Sequence, residues 1–203
     1  MEYQRQRTKS KDIAFSLYLY FLDLSYRNTT AKALSRFVHR SHVSIWKWIQ
    51  KYKPQQISTK RKKIAEFIID ETQLKIGSQY IWIWVAIEPI HRKILQIDIS
   101  FERTMLIVAE RFIASLINTY GKHQVSTDGG TWYPQACQFL KLKHHIHCPF
   151  EKSIIIERTI QYVKDRTESF DDYFPCRRKK CKLKHVIKWL NLFAYYYNRE
   201  ISA

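Results

Sequence analysis

Three carboxylates stand where a carboxylate could do chemistry: Asp70, Asp128 and Glu157. Asp70 follows the apolar run Phe67-Ile68-Ile69, which reads as a buried strand that Asp70 closes. An ionised carboxylate beside such a strand is costly to desolvate unless a metal ion, a nearby base or an early exit to solvent compensates. Asp128 precedes Gly129-Gly130, where the backbone can turn sharply and admit a substrate closely. Glu157 falls in the first turns of an expected helix. Gathered at one point, three carboxylates repel one another, and their pKa values rise unless a cation neutralises them. Mg²⁺ favours oxygen ligands and completes its octahedron with water and phosphate. Two such ions can activate an attacking oxygen and stabilise a leaving one. Each acid alone also has the look of an ordinary surface or cap residue; their shared placement in one series of elements joins them.

Glu71 competes with Asp70, but adjacent residues of a strand point to opposite faces, so only one of them serves a common site. On the Glu157 helix, Ile160, Gln161 and Lys164 follow at i+3, i+4 and i+7 and share its face. Lys164 then lies about 10 Å along the axis from Glu157. That suits a phosphate a nucleotide or two from a scissile bond, with Arg158 and Arg166 flanking it.

The elements that must position these residues begin at residue 64. Ile64 to Ile69, Tyr80 to Ile87 and Arg92 to Ser100 read as three strands with short connections, Gly77-Ser78 and Glu88-Pro-Ile-His91, and form an antiparallel meander. A helix from about Thr104 to Tyr120 carries the stripe Leu106, Ala109, Ile113, Leu116, Ile117 and Tyr120, and Gly121 stops it. Lys122 to Thr127 is a fourth strand, residues 132–140 a short helix and residues 143–148 a fifth strand. Helices follow over about Ser153 to Thr167 and Leu183 to Tyr197, the latter with Leu183, Val186, Ile187, Leu190, Ala194 and Tyr197 buried. The order β-β-β-α-β-α-β-α, with a C-terminal helix, implies a mixed sheet with helices on its faces. If the first and fourth strands are parallel neighbours, Asp70 and Asp128 emerge side by side.

The chain of 203 residues is long enough for one medium domain plus a small one, and its net charge is +17. Such an excess suggests a polyanionic partner, most simply nucleic acid, with a membrane surface as the rival. No apolar stretch approaches the roughly 20 residues that span a bilayer, and the basic start lacks an apolar core for a secretory signal. Residues 1–63 hold 15 Lys and Arg against 3 Asp and Glu, so most of the positive charge lies there.

That first third reads as helical. Residues 12–24 place Ala14, Leu17, Tyr18 and Phe21 on one face. Arg27 to Thr30 is a polar break, and Thr30 caps a second helix, Ala31 to Val38. Ser41 caps a third, His42 to Tyr52, with Ile45, Trp46 and Ile49 inward and His42, Ser44, Lys47 and Lys51 outward. Two short helices joined by a few residues suggest a helix-turn-helix whose second helix meets DNA. A plain three-helix bundle with a solvated basic face is the alternative. Residues 53–63 read as a linker ending in Lys60, Arg61, Lys62 and Lys63, which contact DNA or simply form a solvated charge run. The expected division is 1–52, 53–63 and 64–203.

The cysteines at 137, 148, 176 and 181 form no CxxC pair and read as free thiols. Lys143 to Cys148 reads as a strand, with His145 and His147 on one face and His144, Ile146 and Cys148 on the other, in preference to a zinc site.

Ile69-Asp70-Glu71-Thr72, the strand Tyr80 to Ile87, Ser126-Thr127-Asp128-Gly129-Gly130, and Ile156-Glu157-Arg158 with Lys164-Asp165-Arg166 together resemble the motifs of DDE transposases of bacterial and archaeal insertion sequences. The likeness is greatest to the compact insertion-sequence-six type and spans residues 12–199. The family's two Asp and one Glu fall on Asp70, Asp128 and Glu157, and its basic residue seven positions later falls on Lys164. The resemblance implies a ribonuclease-H-like core shared with retroviral-type integrases, preceded by a small all-α helix-turn-helix domain. It also implies two Mg²⁺ ions, with Mn²⁺ able to substitute, held by the three acids. Water would attack the phosphodiester at a transposon end, and the freed 3′-hydroxyl would attack target DNA in line. Terminal inverted repeats would be bound by the N-terminal helices, with a homodimer or larger assembly on DNA, in the cytoplasm at the nucleoid. A DNA-binding relic or self-repressor and a metal-dependent nuclease are the other readings. The three acids argue against the first and the helix-turn-helix against the second.

Overall fold

The structure, a computed structural model, describes residues 8–22, 24–29, 34–52, 64–76, 79–101, 105–146, 153–167 and 183–201. Five strands form one mixed sheet: β1 (Glu66–Ile76), β2 (Gln79–Glu88), β3 (Lys93–Ser100), β4 (Gln124–Thr127) and β5 (His144–Ile146), in the order β3-β2-β1-β4-β5. β1 to β3 pair antiparallel, whereas β4 pairs parallel with β1 and β5 parallel with β4. This is the ribonuclease-H-like arrangement that the motifs imply.

Strand alternation divides the core into two clusters. Phe67, Ile69, Trp84 and Ala86 point to one face and are covered by α4 (Met105–Tyr120) and α5 (Trp132–Phe139). Ile68, Leu74, Ile83, Val85 and Ile87 point to the other and are covered by α6 (Ser153–Thr167) and α7 (Leu183–Ile201). The N-terminal helices α1 (Ser10–Phe21), α2 (Tyr26–Asn28) and α3 (His42–Lys51) contribute to this second cluster through Leu17, Phe21, Ile45 and Ile49. One buried polar residue ties a helix to the sheet and another closes a turn. Asn198 of α7 accepts from the backbone N–H of Ile94 at 2.8 Å and donates to its carbonyl at 2.7 Å, serving β3 as a further ladder partner would. Glu88, buried at the end of β2, accepts from the N–H groups of Ile90 and His91 and so closes the β2–β3 turn.

Several expectations need correction. β1 does not end at the carboxylates: it runs through Asp70 and Glu71 to Ile76, because β2 goes on pairing with it as far as Gln79. The buried stripe of α1 is Ile13, Ser16, Leu17, Tyr20 and Phe21, one position out of phase with a stripe through Ala14 and Tyr18. In α3, Trp48 is buried with Ile45 and Ile49, and Trp46 is 39% exposed. Both indoles lie near the apolar stripe, and packing of α3 against α1 and α7 selects Trp48. α4 buries Val108 and Phe112, while Leu106 and Ile117 are only half-buried. α7 runs four residues beyond Tyr197 to Ile201 and buries Trp189, Leu192, Phe193 and Tyr196 besides the expected Val186, Leu190 and Ala194. The expected helix from Ala31 to Val38 is represented among the described residues by a single 3₁₀ turn, Leu34–Arg36, and part of the polar break before it is the short α2. Ser41 occupies the N-cap position of α3 in extended conformation, but its side chain makes no cap hydrogen bond. Thr30, His147, Cys148, Cys176 and Cys181 lie outside the described residues, as do Lys60, Arg61, Lys62 and Lys63.

Candidate active site

The register of the parallel β1–β4 pair sets the site. Ile68 is paired with Ser126, and two residues beyond that pair in each segment stand Asp70 and Asp128, close enough for the Asp128 carboxylate to act on Asp70. β4 ends at Thr127, and the chain leaves the sheet through Gly129, whose φ of +107° is a conformation that favours glycine. Asp128 is therefore exposed, with its carboxylate accepting from the Gly130 N–H at 3.4 Å, while Asp70 is half-buried within the sheet. Asp70 lies on the face that Ile68 and Leu74 share with α6. There Ile156, Ile160 and Val163 of α6 are buried, and the exposed Glu157 on the same helix is near enough to act on the Asp70 carboxyl.

The electrostatics record this convergence. Burial, then the Asp128, Glu71 and Glu157 carboxylates, push the Asp70 carboxyl up to about 7, against the Glu71 N–H that donates to its Oδ1 at 2.8 Å. Asp128 is the strongest of the three electrostatic neighbours and Glu157 the weakest. Among the described residues, no group of three or more His, Cys, Asp and Glu side chains is drawn together as a complete metal-holding set. The chemistry of the donors nevertheless suits a divalent cation: the acids around Asp70 are hard oxygen donors, and their mutual repulsion is what a cation relieves.

Glu71 points to the opposite face, as strand alternation requires. There the buried Tyr133 hydroxyl, at the start of α5, donates to its Oε2 in a very short hydrogen bond. Burial raises the Glu71 carboxyl, the Tyr133 hydroxyl opposes that shift, and Asp128 adds to it. Sequence reasoning missed this pair, since nothing in the spacing of residues 71 and 133 announces it. It also missed His144, whose Nε2 lies 2.9 Å from the Thr127 hydroxyl next to Asp128, and whose pKa is lowered by burial and by His145. Ser126 donates to the buried Glu66 at 2.5 Å across the β1–β4 pair, which holds the two strands in register beneath the acids.

The basic residues divide. Arg158 is exposed and Lys164 half-buried on the helix that carries Glu157. Arg166 does not join them. It is 1% exposed, and its guanidinium donates to the Tyr20 carbonyl at 2.6 Å. Its place three residues after Val163 on the inward side of α6 takes it into the core, away from any DNA-facing surface. On α3, His42, Lys47 and Lys51 are exposed and Ser44 is half-buried.

No family model matches the chain. Among proteins of known sequence, it is 33% identical to an uncharacterized protein of Methanocaldococcus jannaschii, over 89% of this chain and 82% of that one. It is 30% identical to the transposase for insertion sequence-like element IS431mec of Staphylococcus aureus, over 82% of this chain and 79% of that one. Among solved structures, the catalytic core domain of BIV integrase is 21% identical, with a TM-score of 0.45, over 63% of this chain and 80% of that one. A chain of the simian T-cell lymphotropic virus intasome is 17% identical, with a TM-score of 0.47, over 86% of this chain and 67% of that one. The identity to the IS431mec protein, sustained over most of both chains, establishes that this chain belongs to the insertion-sequence transposase family.

Proposed function

We propose that this protein is an active transposase whose catalytic residues are Asp70, Asp128 and Glu157. The observation that carries the reading is that Asp128, just past the parallel β1–β4 pair, and Glu157, from α6, both act on the half-buried Asp70 carboxyl. In the proposed reaction, water attacks a phosphodiester at the transposon end and releases a 3′-hydroxyl. That hydroxyl attacks a target phosphodiester in line, forming one new phosphodiester and expelling the target's own 3′-oxygen as a hydroxyl. Asp70, Asp128 and Glu157 would hold two Mg²⁺ ions, or Mn²⁺ in their place. Bound there, such ions supply charge neutralisation at the attacking and leaving oxygens. Asp70 in β1 and Asp128 just past the end of β4 define the reacting point, and Glu157 completes it from the helix.

Lys164 and Arg158 contact phosphates beside the scissile bond. The N-terminal helices, residues 1–52, bind terminal inverted repeats. The exposed His42, Lys47 and Lys51, with Ser44, line the face of α3 toward DNA. Lys60, Arg61, Lys62 and Lys63 of the 53–63 linker, between these helices and the 64–203 catalytic unit in the chain, contribute further positive charge to DNA binding. The protein works as a homodimer or larger assembly on DNA, at the nucleoid. No helix among the described residues is long and apolar enough to cross a membrane.

The test is incubation of the purified protein with its flanking inverted repeats, target DNA and Mg²⁺. Joined product that disappears in Asp128→Asn supports a transposase. Protection of the ends without cleavage indicates a DNA-binding relic or self-repressor. Cutting without joining or end preference indicates a nuclease.

A further inference from the structure

The acids Asp70 and Asp128 sit on separate segments of chain, and Asp128 stands in an exposed turn outside the sheet. Something must hold that turn at a fixed distance from β1. The Gly130 N–H reaches only Asp128 itself, in a long contact of 3.4 Å. The other end of the turn is better secured. Tyr133, five residues after Asp128, is fully buried, with its ring 6.1 Å from that of Trp84 in edge-to-face contact. Its N–H donates to the Gly130 carbonyl at 3.2 Å, which closes the turn onto the first residues of α5. Gly130 is closely packed: a Cβ there would lie 3.0 Å from the Trp132 ring and 3.2 Å from that of Tyr133, so the rings would have to give by a few tenths of an ångström. The Tyr133 hydroxyl then reaches 62 residues back to the carboxylate of Glu71. Glu71 in turn donates its backbone N–H to Asp70 Oδ1 at 2.8 Å.

We propose that Tyr133 and Glu71 form a strut through the sheet that positions Asp128 relative to Asp70, making both positioning residues for the divalent-cation site. The inference rests on the assignment of Asp70 and Asp128 as cation ligands. The path is continuous: Asp70 to the Glu71 backbone, the Glu71 side chain to the Tyr133 hydroxyl, and the Tyr133 backbone to the Gly130 carbonyl of the Asp128 turn. The Glu71 side chain points to the face of β1 opposite that of Asp70, toward Tyr133 of α5. Hydrogen-bond partners behind the ligands of a metal site commonly alter affinity by about 10- to 100-fold when removed, because ligands free to wander must be ordered as the cation binds.

The experiment measures Mn²⁺ affinity of the full-length protein without DNA, by electron paramagnetic resonance of free Mn²⁺, beside thermal unfolding of each variant. Tyr133→Phe keeps the ring against Trp84 and removes only the hydroxyl. It is expected to weaken Mn²⁺ binding about tenfold while the protein remains folded at the assay temperature. Glu71→Gln keeps an oxygen for the phenol and is expected to stay within about threefold of the parent. Glu71→Val, which cannot accept, should match Tyr133→Phe, and the double variant Glu71→Val with Tyr133→Phe should be no worse than either alone. Asp70→Asn and Asp128→Asn are the controls for the site itself. If these abolish binding and Tyr133→Phe does not change it, the strut is overturned and the site stands. If neither Asp variant alters Mn²⁺ binding, the ligand assignment fails and takes the strut with it. If Tyr133→Phe does not fold, Glu71→Val with parent affinity overturns the proposal, and a Glu71→Val loss that Glu71→Gln restores supports it. A purely structural role would lower the unfolding temperature and leave the affinity of the folded protein unchanged.

Discussion

The Arg166 guanidinium lies 5.3 Å from the centre of the Tyr20 ring and donates to the Tyr20 carbonyl at 2.6 Å, joining α6 to α1 across 146 residues of chain. Tyr20 is in the last turn of α1, where carbonyls have no partner within the helix and where no residue of α1 itself supplies a positive charge. The Tyr20 hydroxyl accepts from the Trp189 indole at 3.0 Å, so α7 enters the same junction. The helix that carries Glu157 is thereby locked to the N-terminal helices.

Arg166→Met should therefore lower stability by about 2–3 kcal/mol in urea unfolding, through loss of a charged hydrogen bond and the ring contact. Below its unfolding transition it should bind DNA with the parent's salt dependence. Lys164→Ala should behave in the opposite way, with little change in stability and a slope of log affinity on log salt reduced by about one. Equal salt slopes in parent and Lys164→Ala would remove Lys164 from the DNA-contacting set.

Asp70→Asn should stabilise the cation-free protein at alkaline pH. The folded-state pKa of about 7 stands above an unfolded value near 3.9. The folded protein thus holds the proton more tightly, and Asp70 costs stability increasingly as pH rises from about 4 to about 7. The deficit is complete above about pH 7 and absent below about pH 4. Allowing for partial exposure, the gain in Asp70→Asn is expected to be about 1–3 kcal/mol at pH 8 and to vanish near pH 4. Melting temperatures at the two pH values, with a chelator present, check it. The same variant should abolish strand transfer and leave end binding intact.

The two indoles of α3 should separate cleanly. Trp48→Ala empties a buried site beside Ile45 and Ile49 and should cost about 3–4 kcal/mol, whereas Trp46→Ala should stay within about 1 kcal/mol of the parent. Denaturant midpoints of the two variants decide between them. Equal losses would mean that both rings are buried.

Gly130→Ala forces the new methyl against the Trp132 and Tyr133 rings. A cost of about 1–2 kcal/mol is expected, because the rings must give way in a packed turn. Joining activity measured below the unfolding transition should fall by a larger factor than end binding, since the displaced segment carries Asp128.

Much of the catalytic unit was legible in the chain itself. The runs Phe67 to Ile69 and Tyr80 to Ile87 read as buried strands and lie in β1 and β2, with Tyr80 exposed, and Gly121, with φ of +94°, stops α4 where expected. The expectation that the first and fourth strands are parallel neighbours holds for β1 and β4, and Asp128 acts electrostatically on Asp70 beyond their pairing. The phase of several helices did not follow. In α1, α3 and α4 the apolar residues spread over more of the helix surface than any one neighbour covers, so the sequence admits adjacent stripes. Contact with α7, or with the sheet, then selects one.

What the sequence by itself determined is the order of elements and the residues available at their ends, because both rest on local periodicity, glycine geometry and the distribution of charge. Tertiary structure alone decided what each polar side chain meets. Arg166 reads as one more cation on a basic helix until packing turns it under α1, and Glu71 reads as a rejected rival of Asp70 until the α5 helix brings Tyr133 to it. These partners lie 146 and 62 residues away in the chain, and no local rule reaches that far. They are chosen when the sheet and its helices close, since a buried polar group left without a partner costs about 1–3 kcal/mol, a large share of the net stability of a fold.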